Sequence, residues 1–185
     1  PIPGGPARAV TPEQAVGAAA AVLATGADDV YLFNYFPSMA WPRPDYLKTL
    51  RAMASLEAMQ KLPRRHVVTW RDIIGPHEAY HAPLPATGTA LSFALPTGPA
   101  PLAGSAVTLE LQVRGDANTA APAVQVNNAA CASQEAKPNE RGVLLVYTVP
   151  PAGLLAVQPN QISVSAAQAV TVEGVEIRIA PPTSP

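Results

Sequence analysis

The sequence has a single cysteine, Cys131, so no disulfide can form within the chain and no disulfide framework constrains its fold. Aromatic residues fill only 5% of 185 positions and charged residues 14%. Twelve basic side chains against thirteen acidic ones leave a net charge of -1, and no Lys/Arg cluster is present. That removes the electrostatic footprint nucleic-acid binding requires. The longest near-apolar run, residues 15–27, is interrupted by Gly17 and Gly26 and is too short to span a bilayer. No Gly-rich phosphate loop and no plausible Ser/His/Asp arrangement occurs. No initiator Met precedes Pro1 and no signal peptide follows it, so a mature, cut or recombinant start is expected. The compartment stays open, with an extracytoplasmic one among the options.

What is present is 48% hydrophobic, much of it Ala and Val, together with 22 prolines gathered at both ends and around residues 83–101. These prolines punctuate the chain. Thr11-Pro12-Glu13-Gln14 is a helix start, with Thr11 as N-cap, Pro12 at the first position and Gln14 completing a capping box. The helix should reach Ala24 or Thr25, with Gly26 just beyond its end. Val30-Tyr31-Leu32-Phe33 is then apolar without alternation, which predicts a buried parallel strand over residues 30–34. A proline-stiffened loop carrying Trp41 follows, and a second helix is expected over residues 46–61, closed by Pro63.

From Pro83 the pattern changes to period two. Val107, Leu109, Leu111 and Val113 alternate with Thr108, Glu110, Gln112 and Arg114, the mark of a half-buried strand. Further strands are expected at residues 90–95, 123–127, 143–149 and 161–166. In the last strand Val170 and Val172 hold one phase while Val175, Ile177 and Ile179 hold the other. A β-bulge at Glu173-Gly174 would return all five to the core. This spacing predicts a β-sandwich over residues 83–185, after a helix–strand–helix unit over residues 1–82.

Two stretches resemble known families. Gly26-Ala27-Asp28-Asp29-Val30-Tyr31-Leu32-Phe33-Asn34, within residues 11–72, is similar to the eighth strand of bacterial glycoside-hydrolase-like (β/α)8-barrel proteins. Leu145 to Pro150 and Val175 to Ile179 resemble the closing half of a galactose-binding-like jelly roll. The resemblance implies an α/β fragment, the end of a TIM-type barrel, followed by an all-β jelly roll. It also implies that the catalytic carboxylates lie on strands this chain does not contain.

Barrel strands place ligand contacts at their C-terminal ends. Asn34 and Tyr35 are therefore the expected substrate-binding residues, with Trp41 as a stacking platform. Asp28 and Asp29 fall at the opposite end and read as solvated turn residues. His77-Glu78-Ala79-Tyr80-His81 matches H-E-x-x-H, but Gly75-Pro76 before it and Pro83 after it argue against the multi-turn helix a zinc site needs. It reads as a linker. Gln125, Asn127 and Asn128 could line a carbohydrate groove, yet no aromatic accompanies them. Cys131, with no histidine near it in sequence, reads as inert.

Two functions are carried forward. In the first, the chain is the C-terminal portion of a carbohydrate-active glycoside hydrolase that contacts a glycan, and a companion polypeptide or removed N-terminal part completes the barrel. By itself it would have no catalytic residue, metal or cofactor. In the second, it is a non-catalytic carbohydrate-binding or structural β-sandwich module packing on a partner.

Overall fold

The computed structural model of the chain describes residues 11–30, 43–68, 82–116 and 120–182. Helix α1 spans Pro12–Ala24. Its capping box closes as the sequence requires: Gln14 N–H donates to Thr11 Oγ1 at 3.2 Å, and Thr11 N–H donates to Gln14 Oε1 at 3.0 Å. The expected second helix is two, α2 (Arg43–Ala52) and α3 (Leu56–Gln60). Ser55 causes the break, because its Oγ accepts the Ala58 N–H at 3.4 Å and so caps a new helix start. Ala15, Val16, Ala19, Ala20, Met53 and Met59 form the small core between these helices.

Among the described residues eight strands follow: β1 (Arg64–Val67), β2 (Ala86–Leu95), β3 (Ala106–Arg114), β4 (Ala123–Val126), β5 (Ala129–Ala130), β6 (Ala132–Asn139), β7 (Gly142–Thr148) and β8 (Asn160–Ala180). All belong to one antiparallel sheet, curled into a nearly closed barrel. Strand β8, 21 residues long, is its spine. Val172 pairs with Ala86 of β2 and with Val113 of β3, while Ile177 pairs with His66 of β1 and Leu109 of β3. Val164 likewise lies between Leu91 of β2 and Val124 of β4. Hence β1 and β2 share one edge of β8, and β3 and β4 share the other.

Pairing along the spine is irregular where it jumps from Gly88–Val170 to Ala90–Ser165. Four residues of β8 there face one of β2, and Ala167, Gln168 and Ala169 are exposed. A second irregularity confirms the bulge read from the sequence. Gln112 pairs with Gly174 and Val113 with Val172, leaving Glu173 as the extra residue. Val172, Val175, Ile177 and Ile179 are all buried as a result, and Val170 packs partly buried against the same core. The alternation in β3 is also realised, with Val107, Leu109, Leu111 and Val113 at most 2% exposed.

This architecture corrects the expected fold class. Every strand pairing among the described residues is antiparallel, so the helix–strand–helix end of a TIM-type barrel is not what the N-terminal part forms. Helix α1 instead lies on the antiparallel strand β1, which itself pairs with β8. Close approach is possible because residue 17 is glycine: a Cβ there would sit 2.2 Å from the Arg65 carbonyl oxygen. Of the expected strand over residues 30–34, only Val30 is described, and it packs on the helical core. The jelly-roll sandwich is corrected too. The described strands all join one hydrogen-bonded sheet around β8, where a jelly roll has two.

Candidate functional site: a charged groove on the outer sheet face

The polar phase of these strands faces outward. It carries Arg65 on β1, Glu110 and Gln112 on β3, and Glu173, Glu176 and Arg178 on β8. Together with Asn139 to Arg141 at the β6–β7 turn, most of these residues line an open groove of about 620 Å3. Its apolar lining is Val67, Val68, Leu84, Leu144 and Val175.

Three of its carboxylates, Glu110, Glu173 and Glu176, are held by arginines. Arg65 forms a two-pronged pair with Glu176, Nη2 donating to Oε2 at 2.7 Å and Nε to Oε1. Such fork-to-fork contacts are the stronger kind of charge-assisted hydrogen bond. Donating to Glu176 raises the Arg65 pKa above its ordinary value, against the opposing effect of burial. Arg178 Nη1 donates to Glu110 Oε1 at 2.9 Å, and Arg114 Nε to Glu173 Oε1 at 2.8 Å. Gln112 and Asn139 exchange amide hydrogen bonds at 3.3 and 2.8 Å.

The inner phase of β1 carries two polar groups of a different kind. Arg64 is 1% exposed and His66 3%. Arg64 Nη2 donates to the Pro99 carbonyl at 3.1 Å, but Arg64 Nε and Nη1 and His66 Nε2 have no hydrogen-bond partner among the described residues. Burial lowers the Arg64 pKa to about 10. It pushes His66 down to about 3, with the Arg64 charge adding to the effect, so His66 is neutral at pH 7.

The expected substrate-binding residues Asn34, Tyr35 and Trp41 lie outside the described residues, as do His77 and His81. Asp28 and Asp29 are exposed in the bend after α1. Asn127 and Asn128 form the two-residue turn between β4 and β5, both with positive φ, 49° and 66°. That backbone selects asparagine for conformational reasons. Asn127 is further committed inward, donating through Nδ2 to the Gly153 carbonyl and to Asn160 Oδ1, each at 2.7 Å. Burial pushes the Cys131 thiol pKa up, away from the thiolate a nucleophile needs. No group of His, Cys, Asp and Glu among the described residues could hold a metal ion, and no helix among them is long and apolar enough to cross a membrane.

No family model matches the sequence, and no curated protein matches it. The resemblances of residues 11–72 to a glycoside-hydrolase-like barrel and of the C-terminal strands to a galactose-binding-like jelly roll are not upheld, because the antiparallel near-barrel is neither fold. A glycoside-hydrolase or carbohydrate-binding assignment gains no support from the described residues. Sequence reading missed the groove itself. Its signal was the run of alternating charges in β3 and β8, whose pairing depends on register.

Proposed function

We propose that the chain is a non-catalytic structural β module that packs on a partner polypeptide through the groove on its outer sheet face. The supporting observation is that Glu110, Glu173 and Glu176 are each bound to an arginine, while Val67 stays 47% exposed beside them. Exposed apolar surface beside paired charges is the make-up of a protein–protein contact. The expectation of a glycoside hydrolase drew its support from the barrel resemblance, and that support goes with the fold.

The test is Val67→Glu in the full chain, examined with the polypeptide that copurifies with it from its native source. The folded variant is expected to lose that polypeptide on size-exclusion chromatography. An unchanged complex would overturn the reading, as would hydrolytic turnover by the chain alone that disappears in Glu110→Gln.

A further inference from the structure

Strand β6 is unlike the other long strands of the sheet. All eight of its residues are exposed, on both faces, and among the described residues it pairs with β7 alone. The core ends at β7, where Val143, Leu145 and Tyr147 are buried, and β6 overhangs it.

Register shows which backbone groups β6 leaves open. Val149 N–H donates to the Val107 carbonyl at 3.0 Å, so the odd-numbered residues of β7 bond β3 and its even-numbered residues bond β6. Glu135 and Lys137 lie opposite Val146 and Leu144, and their backbone groups are used there. Ala136 and Pro138, opposite Leu145 and Val143, turn theirs to the outer edge, which no described residue pairs. Pro138 has no N–H to offer. Between the irregularity at Gln134 and the turn at residue 140, Ala136 is thus the residue with both a donor and an acceptor available.

We propose that β6 is a self-association edge, at which two copies of this chain pair antiparallel about a two-fold axis through Ala136. Ala136 then exchanges both backbone hydrogen bonds with its symmetry mate. The same register sets Glu135 opposite Lys137 of the second copy, and Lys137 opposite its Glu135. Within one chain these two side chains already share the outer face, 2.7 Å apart. The dimer would alternate four charges across the junction, which is complementary, whereas most other registers would not be. On the inner face, Ala136 and Pro138 of both copies would extend the core past Leu145 and Val143. Because only a few residues pair, the association is weak. It is independent of the groove, and either surface can fail while the other stands.

Sedimentation of the full chain over a concentration series tests this. A monomer–dimer equilibrium is expected. Ala136→Pro, which removes the open N–H at an edge position that tolerates proline, should abolish it while leaving the thermal melt unchanged. Glu135→Lys alone and Lys137→Glu alone should each weaken the dimer about three- to tenfold, through two facing like-charge pairs. The double exchange E135K/K137E should restore it, which also keeps the idea testable if Ala136→Pro does not fold. A chain that stays monomeric, a dimer indifferent to Ala136→Pro, a charge exchange that fails to restore affinity, or β6 pairing only with a different polypeptide would each overturn the proposal.

Discussion

The Nδ2 of Asn127 donates to the Oδ1 of Asn160 at 2.7 Å, joining the β4–β5 turn to the first residue of the β8 spine. Asn160 is 0% exposed. Its Oδ1 also accepts the Leu155 N–H at 2.7 Å, and its Nδ2 contacts the Leu95 carbonyl, Thr97 Oγ1 and the Leu155 carbonyl at 3.3, 3.0 and 3.3 Å. One amide therefore ties together the ends of β2, β4 and β8. Asn160→Ala leaves several of these groups buried without partners, and a loss of roughly 3 kcal/mol is expected. Asn127→Ala should cost about 2 kcal/mol, from the lost hydrogen bonds and a positive φ without the asparagine side chain. Urea denaturation of both variants and the double mutant checks this. Strictly additive losses would show that the two amides are not coupled.

Glycine permits two close approaches of helix α1, one from its own Gly17 and one from Gly98 in the loop after β2. A Cβ at Gly17 would meet the Arg65 carbonyl oxygen at 2.2 Å, and one at Gly98, whose φ is +70°, would meet the Ala20 carbonyl oxygen at 2.6 Å. Gly17→Ala and Gly98→Ala should each destabilise by roughly 2 kcal/mol, because neither opposing atom is a flexible side-chain end. Gly26→Ala is the control. It shares a positive φ, +95°, but has open space around it, and should cost about 1 kcal/mol. Equal losses at all three sites would mean that the helix does not press on β1 and the residue 98 loop.

Acid should act through His66. Its folded pKa is about 3 against 6.5 for the free side chain. Above the higher value both states are neutral and the group has no effect. Below it the unfolded chain takes up a proton that the native state refuses. Stability then falls by up to about 1.4 kcal/mol per pH unit until pH approaches the folded pKa. His66→Phe should flatten the pH 7 to pH 5 difference in unfolding free energy by about 2 kcal/mol. Identical pH slopes for the two proteins would locate the acid sensitivity elsewhere.

The ion pairs of the groove should differ in strength with their burial. Arg65 and Glu176 side chains are 23% and 13% exposed, against 46% for Arg178 in its pair with Glu110. Glu176→Gln should cost about 2 kcal/mol, since it weakens a two-pronged, poorly hydrated contact. Glu110→Gln should cost less than about 1 kcal/mol and lose most of its effect in high salt. Denaturation at low and high ionic strength distinguishes them, and the reverse order would refute the ranking.

Local chemistry was legible in the sequence wherever one face of an element is buried. The capping box at Thr11 and Gln14 depends on residues three apart. The alternation from Val107 to Val113 and the phase slip at Glu173-Gly174 record a strand that must keep its apolar side inward. Strand β6 has no such record, because none of its eight residues is buried and nothing selects an alternation there. Strand β1 was hidden for a related reason: its inward residues are Arg64 and His66, which no hydrophobic pattern reveals. Register, and with it the groove, belongs to the tertiary structure. Arg65 and Glu176 stand 111 positions apart and become partners only when β1 settles against β8. The same holds for the architecture. Apolar phases determine which side of each strand faces the core, but not which strands become neighbours. That was decided by one continuous spine, whose two edges hold β1 and β2 on one side and β3 and β4 on the other.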